Sequence, residues 1–246
     1  EIAQCLVGSE MCIRDRGVEG YIDVQKVRRC RVAEDLDFWR GRRVWVGLDL
    51  SQSDDNTSVA MVTEADGMIH AKVWGILPKD RVEIKTKKEN VDYRKLIAAG
   101  SCFAEGEEVI DYGFVERWIL GLEEKYGVEV MQVGYDRYNA ISTVQKLEAN
   151  SMECVEVKQH SSVLHPPTKL LREAILKKEF AYDENRLLEI NFQNARCTED
   201  TNLNKYVNKK RSAGKVDMVV STIIAVYLMQ QAMLDNSELD WGIQVI

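Results

Sequence analysis

Short apolar runs rich in β-branched and aromatic residues mark the strands of this chain. The run at 44–50 is typical of a buried strand. Further strands are predicted at 57–63, 68–77, 128–135 and 153–157. Asp66-Gly67, between the second and third runs, is a strong signal for a tight hairpin. We therefore expect the sheet to begin with three strands, the last two of them antiparallel neighbours.

Apolar positions at helical spacing separate the later strands. Helices are predicted at 114–122, 139–147, 168–178 and 215–233. Gly127 closes the first of them, Asn139 caps the second, and Pro166-Pro167 precede the third, because proline suits the first helical turn. Residues 187–195 fit either a helix or a strand, and 79–112 fit either a long excursion or a small subdomain. The alternation predicts one large α/β domain, although the length also allows two small ones.

The two ends of the chain differ from this pattern. Residues 1–16 follow neither a helical nor a strand period, lack the basic start of a signal peptide, and resemble a translated sequencing adapter. We expect them to be non-native, which would make the chain a fragment. Residues 17–41 are charged and weakly periodic and are expected to be the remnant of a linker. The domain is then expected at 42–233, followed by a flexible tail at 234–246.

Composition places the chain among ordinary globular proteins. Of its 246 residues, 45% are hydrophobic and 30% are charged. The longest apolar run, Met218 to Met229, is shorter than a membrane span and contains Ser221, so it predicts a buried core helix and no membrane partner. The six cysteines form no C-x-x-C pair and the three histidines complete no zinc site, which favours free thiols in a reducing cytosol.

The charge balance argues first against and then for a nucleic-acid partner. A formal net charge of −7 disfavours non-specific binding to phosphates. One stretch, 205–215, nevertheless carries five basic residues and no acidic residue. Its cations are Lys205, Lys209, Lys210, Arg211 and Lys215. These five residues are candidates for contacts to DNA phosphates, which position DNA without reading its sequence, or they form a solvated basic loop.

Three aspartates occupy positions where chemistry is expected. Asp49 ends the first predicted strand, and Asp136 ends the strand at 128–135. If the two strands are parallel neighbours, both carboxylates emerge at one edge of the sheet, where open α/β sheets place their sites. Asp217 lies in the first turn of the last helix. Each acid alone has a simpler explanation, as a turn residue or as a charge at a helix start. Together they form a candidate catalytic and metal-binding set.

Clustered carboxylates repel one another unless a cation lies between them. Mg²⁺ and Mn²⁺ prefer oxygen ligands, and two such ions about 3.5–4 Å apart can activate a water and stabilise the leaving oxygen of a phosphodiester. No serine, cysteine or histidine has the setting of a catalytic triad. Asp55, and with less weight Asp54, are further candidate ligands, the alternative for both being a solvated turn.

The ordered set of acidic motifs resembles the nuclease domain of tailed-phage terminase large subunits. The motifs are Gly47-Leu-Asp-Leu-Ser51, Asp55-Asn-Thr-Ser58, Gly134-Tyr-Asp-Arg137 with Asn139-Ala140, and Gly214-Lys-Val-Asp217. Residues 93–100 and 109–111 look like that family's inserted segment, and Gln159 with the loop before Pro166 also fits. The resemblance covers about 42–232. The first motif alone is weak, and the order of the set is specific.

This resemblance implies a ribonuclease-H-like fold, a mixed sheet with helices on both faces. It implies an endonuclease with Asp49, Asp136 and Asp217 binding two Mg²⁺ or Mn²⁺ ions, and Asp55 as a further ligand. The substrate would be concatemeric double-stranded phage DNA, cut during genome packaging in the host cytoplasm, with the terminase small subunit and the portal ring as partners. The family's packaging ATPase domain carries a G-x-x-x-x-G-K-[ST] loop, and this sequence contains none.

Three other hypotheses remain open at this point. A resolvase or transposase-like nuclease shares the fold but usually offers a fourth acid in the last helix, and here none follows Asp217 before Asp235. A catalytically silent motor module docking on the portal would retain the acids without using them. An actin-like ATPase is the weakest, because a second glycine-rich phosphate loop is missing.

Overall fold

A computed structural model describes residues 19–51, 56–137 and 139–242, with side chains as far as 235. The strands are Glu19–Gly20 (β1), Arg43–Asp49 (β2), Thr57–Ala65 (β3), Met68–Leu77 (β4), Cys102–Ala104 (β5), Glu129–Tyr135 (β6), Cys154–Glu156 (β7), Phe180–Tyr182 (β8), Arg196–Glu199 (β9) and Lys205–Val207 (β10).

The α-helices are Val24–Arg28 (α1), Leu36–Trp39 (α2), Val82–Glu89 (α3), Tyr93–Ala98 (α4), Tyr112–Leu120 (α5), Leu122–Tyr126 (α6), Ile141–Ala149 (α7), Ser161–Lys177 (α8), Arg186–Asn194 (α9) and Asp217–Gly242 (α10). Short 3-10 helices lie at Lys79–Arg81 and Lys209–Arg211.

A mixed sheet organises the domain, with β2 near its centre. The order is β5-β4-β3-β2-β6-β7, and β8 also pairs with β4. β2, β3 and β4 are antiparallel in sequence order, whereas β6 runs parallel to β2 and β7 runs parallel to β6. A second, small sheet consists of β1, β9 and β10. The parallel pairing of β2 with β6 is the feature that matters for the site.

Helices cover both faces of the sheet, and the strands alternate accordingly. On β2, Val44, Val46 and Leu48 are buried in a core that also includes residues of α5, α6 and α7. The opposite face packs against α8, α9 and α10, and Trp45 of β2 lies on that side. Burial on both faces explains why the central strands are almost continuously apolar. The α/β class, the mixed sheet and the two helical layers are confirmed.

Most predicted strands and the hairpin are confirmed within two residues. Asp66 and Gly67 both have positive φ, 53° and 76°, as a two-residue hairpin turn requires. The ambiguous segment at 187–195 is the helix α9, and the excursion at 79–112 holds α3, α4 and β5. The helix predicted at 114–122 is divided into α5 and α6 at Gly121, and Gly127 closes α6 in the left-handed conformation.

The prediction of a loop up to Pro166-Pro167 is wrong. α8 begins at Ser161 and contains both prolines, and the His160 side chain accepts a hydrogen bond from the Ser162 N–H at its cap. Proline in this position removes hydrogen bonds only from the second helical turn, close to the four N–H groups that lack a helical partner in any case. The expected cap at Asn139 is also wrong, since Ala140 takes the cap position without a side-chain bond.

The chain outside the expected domain also has structure. Within residues 19–41, assigned above to a linker, Tyr21, Val27 and Trp39 are fully buried in the two cores. The basic stretch, expected to be a loop, includes β10 and the 3-10 helix that follows it. Helix α10 continues to Gly242, beyond the predicted start of the tail. Residues 1–16 and Asp54 and Asp55 lie outside the described residues.

Helix α10 is as apolar as a membrane span over residues 217–235, and 67% of that stretch is buried inside the domain. It is therefore the central core helix of this fold. The cysteines at 30, 102, 154 and 197 are free thiols, which agrees with the prediction for the described ones.

The approach of α10 to the sheet depends on two glycines. A Cβ at Gly47 would lie 1.9 Å from the Ser221 carbonyl oxygen and 2.7 Å from the Ala225 nitrogen. A Cβ at Gly134, on the neighbouring strand β6, would meet side-chain methyl groups of Ile224 and Leu228 at 2.7 and 2.9 Å. The backbone of α10 therefore lies directly on β2, with no space for a side chain.

We expect Gly47→Ala to destabilise the domain most among single glycine-to-alanine changes in the sheet. Because the clash is with backbone atoms that cannot rotate away, the free energy of unfolding should fall by more than about 3 kcal/mol. Gly134→Ala should cost about 1–2 kcal/mol, since the contacting methyl groups can shift. Gly20→Ala has nothing within 4 Å and is the neutral control. Urea unfolding measures all three, and equal midpoints would contradict the close packing.

Candidate functional site

Two of the three candidate acids lie side by side at one edge of the sheet. Asp49 is the last residue of β2, and Asp136 directly follows β6. In the parallel register, Gly47 is opposite Gly134 and Leu48 is opposite Tyr135, so the next pair in line is Asp49 and Asp136. The predicted parallel neighbourhood of the two strand ends is therefore present.

Helix α10 brings the third acid to the same edge. Gly47 contacts α10 at Ser221 and Ala225. Asp49 has the same parity on β2 as Gly47 and therefore faces the same side. α10 runs antiparallel to β2, so that its first residue, Asp217, lies beside the end of the strand.

One ammonium group shows that Asp49 and Asp217 converge. The Lys209 Nζ lies 2.6 and 2.5 Å from the two carboxylate oxygens of Asp49. The same atom lies 3.7 Å from Oδ1 of Asp217. Each aspartate is only 3% exposed. Two almost fully buried carboxylates thus share one cation, as their mutual repulsion requires.

Two further interactions hold Asp217 in place. Its Oδ2 accepts a hydrogen bond of 3.3 Å from the backbone N–H of Asn56, at the start of β3. Its position at the first turn of α10 also places its negative charge at the positive end of the helix dipole. The other carboxylate oxygen, Oδ1, is the one nearer Lys209.

Asp136 opens into a cleft between α8, α10 and the segment after β10. The cleft has a volume of about 440 Å³, and Lys209 and Gln159 line it together with Asp136. Lys209 therefore connects the buried pair to the cleft in which Asp136 lies. The structure brings Asp49 and Asp217 together through a shared contact, and it places Asp136 after the neighbouring strand, in the cleft that Lys209 also lines.

The donor set suits a hard divalent cation. The acids offer only oxygen atoms, and an ammonium group already occupies the position of a cation between two of them. Within residues 19–51, 56–137 and 139–235, no three histidine, cysteine, aspartate or glutamate side chains are arranged to hold a metal ion. In this structure the ammonium group of Lys209 lies against both carboxylate oxygens of Asp49.

The five basic residues lie in different surroundings, and Lys215 among them is half-buried. Lys205 pairs with Glu19 and Glu199 at 3.0 and 3.8 Å, and the hydrogen bond to Glu19 raises the pKa of its ammonium group. Lys209 binds Asp49, so its contact is to an acid of the site. Lys210 and Arg211 are exposed beside the cleft.

Three residues around Asp217 were not predicted from the sequence. Asn56, Lys85 and Tyr93 are all buried and joined by hydrogen bonds. Asn56 lies inside the motif Asp55-Asn-Thr-Ser58, and Lys85 lies on a helix without amphipathic character. Only the tertiary structure brings them to the site.

Comparison with known proteins gives a family for this arrangement. The family model for "Terminase large subunit, endonuclease domain" matches residues 12–233. The terminase large subunit of Enterobacteria phage HK97 is 23% identical over 193 residues, which are 75% of this chain and 37% of that protein.

A solved terminase structure shows the same fold. The crystal structure of the HK97 bacteriophage large terminase matches with a TM-score of 0.78 at 21% identity, over 86% of this chain and 44% of that chain. The chain thus spans less than half the length of the HK97 protein in both comparisons. The large terminase nuclease domain of bacteriophage SPP1, solved with bound Mn, has a TM-score of 0.49 at 10% identity, over 79% of this chain and 90% of that chain. At that distance the likeness supports no inference about a metal.

We predict that Lys209→Met destabilises the domain in metal-free buffer. Loss of the ammonium removes the cation that both buried carboxylates contact, and the free energy of unfolding should fall by about 1–2 kcal/mol, less than for a fully buried pair because Lys209 is partly exposed. Urea unfolding in EDTA measures this. Lys210→Met is the matched control, since Lys210 forms no ion pair with any described residue. Equal effects of the two changes would show that the pair needs no cation.

Proposed function

The chain belongs to the terminase large-subunit family, to its endonuclease domain, and on that premise we propose that it is a divalent-metal-dependent endonuclease that cuts concatemeric phage DNA during genome packaging. The observation that carries the proposal is the buried Asp49–Asp217 pair, which already holds a cation at the edge of the sheet. Asp136, which directly follows the neighbouring strand β6, is proposed as the third acid of the set.

Asp49, Asp136 and Asp217 are proposed as the catalytic metal ligands. Their oxygens would hold two Mg²⁺ or Mn²⁺ ions, with Asp55 as a further ligand. Bound ions would supply an activated water and charge stabilisation for the leaving oxygen of a phosphodiester. Because Lys209 binds both oxygens of Asp49, its ammonium group would have to give up that carboxylate to a divalent ion. Water and DNA phosphate oxygens can supply the remaining positions around such ions.

The cleft beside Asp136 is the proposed approach for double-stranded DNA. Lys210 and Arg211 lie on the segment that lines this cleft, and Lys215 follows shortly after in the chain. Their charges would contact phosphates and set the position of the duplex. In the complete motor we propose the terminase small subunit and the portal ring as partners, in the host cytoplasm. Membership of the terminase family favours this assignment over a resolvase or transposase-like enzyme.

The cleavage reaction is tested on supercoiled plasmid DNA. We expect nicking or cutting with Mn²⁺ or Mg²⁺, none in EDTA, and loss of at least about 100-fold in Asp136→Ala, because a metal ligand is removed. The matched control is Asp66→Asn, in the β3–β4 hairpin at the opposite end of the sheet. Asparagine tolerates the positive φ at that position.

Cleavage that persists in purified Asp136→Ala protein would refute the site. Absence of cleavage in the wild-type chain, combined with tight binding to a portal ring, would favour the silent docking module instead.

DNA binding is tested separately in the Asp136→Ala background. Replacing Lys210 and Arg211 together by alanine should reduce the slope of log affinity against log salt by about 2, since each phosphate contact contributes about 0.9. Lys205→Ala should change the slope less, because Glu19 and Glu199 already neutralise Lys205. Filter binding at several salt concentrations measures the slopes. An unchanged slope in the double variant would remove these residues from the interface.

A further inference from the structure

The segment between β4 and β5 contacts a residue that binds Asp217, and the proposed reaction assigns this segment no role. It contains α3 and α4, and Lys85 on α3 is only 3% exposed. Lysine is almost never fully buried unless it is paired. The position of this ammonium group therefore requires an explanation from its contacts.

Lys85 contacts Asn56, the residue that holds Asp217. The Lys85 Nζ donates a hydrogen bond of 2.6 Å to the Asn56 side-chain oxygen. Asn56 is itself 2% exposed, and its backbone N–H donates to Oδ2 of Asp217. One residue thus separates helix α3 from a carboxylate of the proposed metal site.

Tyr93 on α4 holds the other end of the Asn56 amide. The Asn56 Nδ2 donates to the Tyr93 hydroxyl at 3.0 Å, and that hydroxyl donates to Oε2 of Glu89 at 2.6 Å. Burial, followed by the bond to Glu89, raises the pKa of the Tyr93 phenol well above its ordinary value, so it stays protonated and remains a donor. Both polar atoms of the Asn56 side chain therefore have hydrogen-bond partners on helices α3 and α4.

The Lys85 ammonium group also faces a carboxylate of its own helix. Oε1 of Glu89 lies 3.9 Å from the Lys85 Nζ, one helical turn away on α3. A methionine would fill the place of Lys85 without the desolvation cost of an ammonium group. The ammonium is therefore explained by the bonds it makes and not by the volume it occupies.

We propose that Lys85 is a positioning residue, which orients Asp217 for metal binding through Asn56. A carboxylate ligand needs such fixed outer contacts, and their removal typically costs 10–100-fold in metal affinity or activity. Helices α3 and α4 are then part of the active site, and not only an addition at the edge of the sheet. The proposal rests on the proposed function, since it assumes that Asp217 binds the metal.

The test is the affinity of the chain for Mn²⁺ alone, measured by electron paramagnetic resonance without DNA. Lys85→Met should weaken Mn²⁺ binding by about 10-fold or more. Lys85→Gln keeps a donor toward Asn56 and should recover part of that loss. Lys88→Met, exposed on the same helix, is the matched control and should change the affinity less than about 2-fold.

A second readout separates positioning from a general loss of structure. Protection of the Asn56 amide against hydrogen exchange should fall in Lys85→Met, while that of the central β2 amides stays unchanged. If Lys85→Met does not fold, Tyr93→Phe decides, because it keeps the ring in the core and removes only the hydroxyl. It should weaken Mn²⁺ binding in the same direction.

Unchanged Mn²⁺ affinity in folded Lys85→Met would overturn the proposal. A tighter affinity would also overturn it, because Lys85 would then act only as a repelling charge. These results can be distinguished from those of the nuclease assay. A wild-type chain that does not cut DNA, with Mn²⁺ binding that still depends on Lys85, refutes the proposed function and supports the positioning role. A wild-type chain that cuts DNA with no such dependence does the reverse.

Discussion

The contact between α10 and β2 at Gly47 is the constraint on which the site depends. Because no side chain separates them, the helix lies directly on the strand and its N-terminus reaches the strand's end. Asp217 thereby meets Asp49 at the same edge of the sheet. A larger residue at Gly47 would lift the helix away and separate the two carboxylates. Packing and chemistry are thus linked through one glycine.

The buried pair creates an electrostatic requirement that the rest of the site meets. Two carboxylates, each 3% exposed, repel one another unless a cation lies between them. Lys209 supplies that charge from the segment after β10, and the backbone N–H of Asn56 supplies a donor. The same oxygens suit a divalent ion. In the proposed function, metal binding and the position of the basic segment would therefore be coupled through Lys209.

Much of the fold follows from local patterns. The strands at the centre of the sheet and the Asp66-Gly67 hairpin were predictable, because burial on both faces and turn chemistry are properties of short segments. The start of α8 was not, since Pro166 and Pro167 suggest a helix start and the actual start precedes them. The packing of residues 19–41 was also missed. Their few apolar residues are buried by distant elements, which no local period reveals.

The sequence by itself determined which residue types stand at the ends of β2 and β6 and at the start of α10. It also determined the order of motifs that resembles the terminase nuclease family. Only the tertiary structure decided that Lys209 lies against Asp49 and that Lys85 and Tyr93 hold Asn56 beside Asp217. These contacts join residues that are between 29 and 161 positions apart in the chain. The packing of α10, α3 and α4 around the sheet determines which residues meet. That packing cannot be read from the local sequence, because the residues that meet are far apart in the chain.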